Sequence, residues 1–314
     1  MEQPHRRYNP LTESWVLVSP HRNNRPWLGQ QEEVSIEANA SYDPSCYLCP
    51  GNIRSNGTVN PAYQGAYSFV NDFAALLPQS NGSVVHTTSE LLRAEMESGV
   101  CKVVCFSPDH SKDMAHMELS EVRGVVDLWV EEYLTLGAMP MIRYVQIFEN
   151  KGSVMGCSNP HPHGQIWAST FMPDEPFKKH KTQNAYFDKH KRTLLQDYLE
   201  VELREQVRIV FENDFFVCLV PFWAVWPFET MILPKRPMSS IAAMEMKERD
   251  SFAHAYKTIA RTYDALFNVP FPYSAGIHQA PTDGLVHEAW HWHLVFLPPL
   301  LRSATIKKFM VGYE

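Results

Sequence analysis

No apolar run in this chain is long enough to cross a bilayer. The longest, Phe215–Phe228, is interrupted by Pro221 and Pro227, whereas a membrane-spanning helix needs about 20 apolar residues. The first residues, Met-Glu-Gln-Pro-His-Arg-Arg, carry no apolar leader. Cysteine is scarce: six in 314 residues, too thin a supply for a disulfide scaffold in a chain of this length. A reducing, cytoplasmic setting is the expectation, with no membrane partner. An excess of basic charge is also lacking. Asp and Glu number 35 against 28 Lys and Arg, a net charge of −7, which argues against a general nucleic-acid binder. Any anionic ligand has to be met by local cations. No low-complexity segment interrupts the chain.

Aromatic residues are plentiful, with 17 Phe and 8 Trp, and 45% of residues are hydrophobic, enough for a substantial core or two fused units. The stretch that organises the rest is Gly156–Gln165, Gly-Cys-Ser-Asn-Pro-His-Pro-His-Gly-Gln. Alternate residues of an extended chain point to one face, so His161 and His163 share a side and Gln165 follows them there. Pro160 and Pro162 stiffen the ribbon. Gly164 admits a close backbone or ligand, and Ser158 and Asn159 add polar groups just before. A neutral imidazole can attack phosphorus and later act as a leaving group, so His163 is a candidate covalent catalyst rather than an ordinary turn residue.

Around this motif, Trp15–Val18 reads as a strand, followed by a loop bearing Arg22 and Arg25, whose planar forks suit phosphate. Cys46-Tyr-Leu-Cys49 is a redox, metal or accidental pair. Pro50-Gly51 argues against a helix opening there, so a zinc knuckle is the more natural reading, with His110, His116 and His161 as candidate partners. Asn71-Asp72-Phe73 reads as a turn or as contacts to a base and ribose. Val100–Phe106 and Tyr144–Glu149 read as strands, with a helix from Ser120 to about Leu136 between them, and Asn150 and Lys151, leading to the motif, lie close enough in sequence to line the same pocket. Phe177–Arg204 reads as one long polar helix. The second half then repeats hairpin, long helix (Ser240–Phe267), strand and histidine strand, His291-Trp-His293 being a weak echo of His161-Pro-His163.

Three blocks carry a family resemblance: Phe148–Gly152, Gly156–Gln165 and Phe222–Glu229, within a match running from His5-Arg-Arg-Tyr-Asn-Pro-Leu11 to Gly312-Tyr-Glu314. The chain resembles the galactose-1-phosphate uridylyltransferase family of the histidine-triad superfamily. The resemblance implies an α+β fold of two histidine-triad-like half-barrels, each mostly antiparallel sheet with packed helices. It divides the chain into an N-terminal half (1–176), a helical connector (177–204) and a degenerate C-terminal half (205–314). It implies ping-pong transfer of UMP from UDP-glucose to galactose 1-phosphate, giving glucose 1-phosphate and UDP-galactose. His163 would carry the UMP, Gln165 would donate to the phosphoryl oxygens, and Ser158 would hold the leaving phosphate. Arg22, Arg25, Asn71, Asp72 and Phe73 match uridine and phosphate contacts, and Asn150 is a further substrate-binding candidate; Lys308, Phe309, Val311, Tyr313 and Glu314 match the hexose-contacting loop. Cys46, Cys49, His110 and His161 match a structural zinc site. The family's active sites form between two subunits, so a homodimer with shared sites is expected.

Two departures from the family pattern stand out. A second metal site of one Glu and three His is implied, and His278 and His293 match two of these. Lys179 and Val295 stand where the Glu and the last His are expected, unless a shifted register draws on Glu175 or His291. The family pattern also runs on past Glu314, with one further hexose-contacting Gln. Two other functions compete: a nucleoside-polyphosphate phosphorylase or hydrolase of the same superfamily, which passes UMP to phosphate or water, and a non-catalytic nucleotide-sugar binder. Gln165 in place of a third histidine argues for transfer.

Overall fold

The computed structural model describes residues 3–21, 40–78 and 89–299. Its centre is one nine-stranded antiparallel sheet. Along the chain the strands are β1 (His5–Asn9), β2 (Ser14–Val18), β3 (Tyr67–Val70), β4 (Gly99–Cys105), β5 (Tyr144–Lys151), β6 (His163–Ser169), β7 (Ile209–Glu212), β8 (Phe216–Leu219), β9 (Thr230–Pro234), β10 (Tyr273–His278) and β11 (His293–Leu297). The helices are α1 (Leu119–Gly137), α2 (Asp174–His190), α3 (Leu194–Glu205) and α4 (Met246–Phe267). β1 and β2 form a separate hairpin; the main sheet runs β3-β4-β6-β5-β10-β11-β9-β8-β7.

The order is a duplication. The run β3-β4-α1-β5-β6 recurs as β8-β9-α4-β10-β11, and β5 pairs with β10 at the join, so the two halves share one continuous sheet. In each half the histidine strand lies between the strand before the helix and the strand after it. The fold class is therefore α+β with two related halves.

One face of the sheet is sealed by α1 and α4. Their apolar stripes, Val122, Val125, Val126, Trp129 and Tyr133 on α1 and Phe252, Tyr256, Ile259 and Tyr263 on α4, pack on Ile147, Ile166, Ile277 and Phe296. This is the 3.6-residue spacing facing a period-2 surface. The start of α1 differs from expectation: the cap is Glu118, whose backbone N–H donates to Glu121 at 2.6 Å, and Ser120 lies inside the first turn. The expected 177–204 helix is two helices. Lys191 adopts a left-handed φ of 55° that ends α2, and the Thr193 hydroxyl accepts from Gln196 N to start α3.

Among the described residues, the other face is covered only at its flanks. The Cys46–Cys49 loop packs with Tyr63 and Phe69 over Val103 and Cys105 of β4. Leu194, Leu195 and Leu199 of α3 pack over Val217, Met231 and Val295. Between these flanks, buried and half-buried residues alternate along the whole of β10, over 163–168 of β6 and over 145–150 of β5. The half-buried set, His163, Gln165 and Trp167 with Gln146, Phe148 and Asn150, forms an open strip down the middle of the sheet.

Candidate active site

β6 carries the central motif. His163 pairs with Cys105 of β4, and Gln165 lies between Val103 of β4 and Phe148 of β5. Gly164 faces the helices, where a Cβ would lie 2.9 Å from the Phe106 ring and from the Phe148 carbonyl oxygen; no side chain fits there. The strand can therefore sit tightly against its neighbours while presenting His163 and Gln165 outward.

The His163 ring is oriented from within the motif. Its Nδ1 is 2.8 Å from the His161 carbonyl oxygen. A carbonyl only accepts, so Nδ1 carries the proton and Nε2 presents its lone pair. Burial holds the His163 pKa below the usual imidazole value, which keeps the ring neutral at pH 7. The ring lines a cavity of about 60 Å³ together with Asn150, Gly156, Cys157, Ser158, Gly164 and Gln165. Four polar side chains named from sequence, Asn150, Ser158, His163 and Gln165, thus converge. The Gln165 amide is oriented as well. Trp167 Nε1 donates to Gln165 Oε1 at 3.0 Å, and since an indole N–H can only donate, the amide NH₂ is the group left to serve a ligand.

Lys151 does not join them. Side chains alternate along β5, and Lys151 points to the helix face, where Nζ lies 2.8 Å from Asp113 and 3.0 Å from Asp264. Asn71, Asp72 and Phe73 follow the end of β3, two strands from β6, and are not among the residues lining the cavity. Asn71 Oδ1 accepts from Phe73 N, Asp72 accepts from Asn56 at 2.8 Å and lies 3.7 Å from Arg54, and Phe73 is exposed. Arg22, Arg25, Lys308, Phe309, Val311, Tyr313 and Glu314 lie outside the described residues.

Next to the cavity is a buried cluster of Cys46, Cys49, His110 and His161, whose ligand atoms all lie within 4.8 Å of one another. Cys49 Sγ is 3.4 Å from His110 Nδ1 and 3.5 Å from His161 Nδ1. A tetrahedral ion with the bond lengths of zinc to sulfur and nitrogen would separate those atoms by about 3.5 Å, so the donor set fits. His116, the other candidate, is exposed and bonds Asp113. His161 Nε2 lies 2.9 Å from the Ser107 carbonyl oxygen, which puts its proton there and frees Nδ1 as a ligand. Burial pushes the Cys49 thiol up to about 11 and His161 down to about 4. Bare Cys49 and His161 thus resist charge, and a bound cation would reverse that for the Cys49 thiol.

Asn159 joins the two sites and was not singled out as a ligand or catalytic residue from sequence. Its Oδ1 accepts from His161 N at 2.9 Å, and its Nδ2 lies 3.5 Å from Cys46 Sγ. An Asn two residues before a candidate metal-binding histidine is the local signal, but its cysteine partner is 113 residues away.

The echo in the second half has matching bonds. His293 Nδ1 faces the His291 carbonyl at 3.2 Å, as His163 faces that of His161. His291 Nε2 lies 2.9 Å from the Pro234 carbonyl, as His161 lies from that of Ser107. The sequence-derived second metal site takes a different form. Lys179 Nζ is 3.2 Å from His278 Nδ1 and 3.4 Å from His293 Nε2. Glu175 is mostly exposed and 4.0 Å from Lys179, and the His291 ring faces Pro234 and Thr193.

Comparison with known proteins agrees along the whole chain. Residues 1–173 match the N-terminal domain of galactose-1-phosphate uridyl transferase and residues 175–314 its C-terminal domain. The galactose-1-phosphate uridylyltransferase of Haemophilus influenzae is 49% identical over 100% of this chain and 89% of its own length. That of Saccharomyces cerevisiae is 45% identical over 99% of this chain and 88% of its own. Among solved structures, an ADP-glucose phosphorylase from Arabidopsis thaliana with bound ADP-glucose superposes with a TM-score of 0.74 at 22% identity, covering 95% of this chain and 90% of that one, a likeness of fold. Matched end to end by both domains, and nearly half identical to a full-length relative, the chain belongs to the galactose-1-phosphate uridyl transferase family.

Proposed function

We propose that the protein is an enzyme that exchanges UMP between UDP-glucose and galactose 1-phosphate through His163. The observation that carries this is the locked ring: Nδ1 is tied to the His161 carbonyl, so Nε2 faces the cavity as a neutral nucleophile beside the Gln165 amide. Nε2 attacks the α-phosphorus of UDP-glucose. The bond from that phosphorus to the bridging oxygen breaks, and glucose 1-phosphate leaves with the electron pair. The uridylyl group is then held on an imidazolium. A phosphate oxygen of galactose 1-phosphate attacks the same phosphorus, the P–N bond breaks, and neutral His163 and UDP-galactose result. Gln165 donates to the non-bridging oxygens as charge shifts there, and Ser158 holds the leaving phosphate.

Cys46, Cys49, His110 and His161 would hold a zinc ion that fixes the strand carrying His163; the chemistry asks nothing of it beyond this orientation. The protein is taken to be a cytoplasmic homodimer whose subunits complete each other's sites. None of the described helices is long and apolar enough to cross a membrane. The repeat of β3-β4-α1-β5-β6 as β8-β9-α4-β10-β11 supports division into halves 1–176 and 205–314 joined by 177–204.

The test is intact mass after incubation with UDP-glucose alone. A stable UMP adduct, discharged by galactose 1-phosphate into UDP-galactose, is expected. Steady release of free UMP, or of a UMP–phosphate product when phosphate is added, would instead support the hydrolase or phosphorylase activity. No adduct and no product would leave nucleotide-sugar binding.

A further inference from the structure

Lys179 is a basic residue in an unexpected place. It is buried on the inner side of α2, its exposure only 6%. Its amino group points at two imidazoles that pair directly across β10 and β11, His278 opposite His293, with rings parallel within 5° and centroids 5.3 Å apart. The nitrogen lies 3.2 Å from one ring and 3.4 Å from the other. The His291 carbonyl places the His293 proton on Nδ1, so Nε2 offers its lone pair to Lys179. An amino group has hydrogens for both rings. The donor set does not suit a metal ion. Among the described residues no third His, Cys, Asp or Glu brings a ligand atom within 4.8 Å of both histidines. The next outward position on β11 is Val295, which packs with Met231 and Leu219 in an apolar cluster.

We propose that the Lys179 amino group takes the place of a metal ion between His278 and His293, so that this protein keeps a single resident-metal site, at Cys46, Cys49, His110 and His161. Two features support this over an incidental contact. The amine is delivered to the midpoint of a matched imidazole pair rather than to a carboxylate, although Glu175 is one turn away on the same helix, 4.0 Å off. His293 also occupies the position in the second half that His163 occupies in the first, so the echo strand is filled from above by α2 while, among the described residues, the strand bearing His163 stays open. Lys179 thereby ties α2 to both β10 and β11 without a cation from solution.

The experiment counts metal on the full chain. Wild type, Cys46→Ser, Lys179→Met and Lys179→Glu/Val295→His are loaded with excess Zn²⁺, desalted, and measured for zinc per chain and for Tm with and without a chelator. One equivalent is expected for wild type and for Lys179→Met, and none for Cys46→Ser. Lys179→Met should melt below wild type because both rings lose their donor. The double variant, given a carboxylate and a third imidazole, should hold a second equivalent, with a Tm that rises on adding Zn²⁺. The proposal is overturned if wild type retains two equivalents and His278→Ala removes one, or if the double variant folds and still holds one. Should the double variant fail to fold, the wild-type and His278→Ala counts decide alone. These readouts are independent of uridylyl transfer, so they stand whether or not that activity is found.

Discussion

Trp167 Nε1 donates to Gln165 Oε1 at 3.0 Å, from the next outward position on the same strand. The bond fixes which end of the Gln165 amide meets a ligand. Without it the amide can turn and offer its oxygen to a phosphoryl group, a repulsive contact. Trp167→Phe keeps a ring that can pack edge-on to Phe148, as the indole does now at 5.7 Å, and deletes only the donor. Removing a transition-state donor outright costs roughly a hundredfold or more in rate, so loosening it should lower kcat about tenfold with KM for UDP-glucose little changed. In a Gln165→Ala background the same substitution should do nothing further. A full tenfold drop in that background would show that Trp167 acts by some other route.

Cys46→Ser should release the metal. Asn159 links Cys46 to the backbone of His161, so the loss also loosens the strand leading to His163. Binding energy at a structural site is folding energy. A loss of about 3 kcal/mol would lower Tm by roughly 5 °C or more for a chain of this size. The uridylylation rate per folded molecule should fall less than the stability does. Elemental analysis and melting curves check the first two points. A wild-type enzyme that is fully active with no bound metal would refute the zinc assignment.

Glu149 should make stability depend on pH. It faces the helices from β5, accepting from the Tyr256 hydroxyl at 2.5 Å and the Tyr273 hydroxyl at 3.1 Å. Burial pushes its pKa from 4.5 up to about 7, against the pull of the Tyr256 hydrogen bond and of Lys151. The native state therefore binds the proton more tightly than the unfolded chain. Its contribution is full below about pH 4.5 and is lost as pH rises through 7. A shift of 7 − 4.5 = 2.5 units corresponds to on the order of 3 kcal/mol. Glu149→Gln cannot ionise, so its Tm should fall less than that of wild type between pH 5 and 8. Parallel curves would mean that Glu149 does not titrate in this window.

What the sequence made legible was local and periodic. His163 and Gln165 could be placed on one face because a strand alternates, and the echo at His291 and His293 could be seen because it is a short pattern. The α1 and α4 stripes were readable for the same reason. The break at Lys191 was not, because a left-handed residue without glycine leaves no mark in composition. The pairing of Lys179 with His278 and His293 joins residues 99 and 114 positions apart, and only the packing of α2 on the sheet reveals it. Lys151 shows the opposite failure: adjacency to Asn150 suggested a shared pocket, while alternation along β5 sends the two to opposite faces.

His163→Gly should abolish UMP exchange, because no group then carries UMP between the two displacements. Loss of a nucleophile of this kind costs on the order of 10⁴-fold or more. The glycine leaves a space the size of an imidazole ring, and added imidazole can occupy it. The variant should then form uridylyl-imidazole from UDP-glucose, or accept uridylyl-imidazole as donor to galactose 1-phosphate. His161→Gly should not be rescued this way, since its ring faces the Ser107 carbonyl and Cys49 rather than the open strip. The pH profile adds a second check. Burial lowers the His163 pKa, so the reactive neutral ring persists below the usual imidazole value, and the acid limb of the first half-reaction should lie lower than for a free imidazole. Peptide mapping of the UMP adduct is the decisive measurement. Label on His161, or on no residue while turnover continues, would remove His163 from its role.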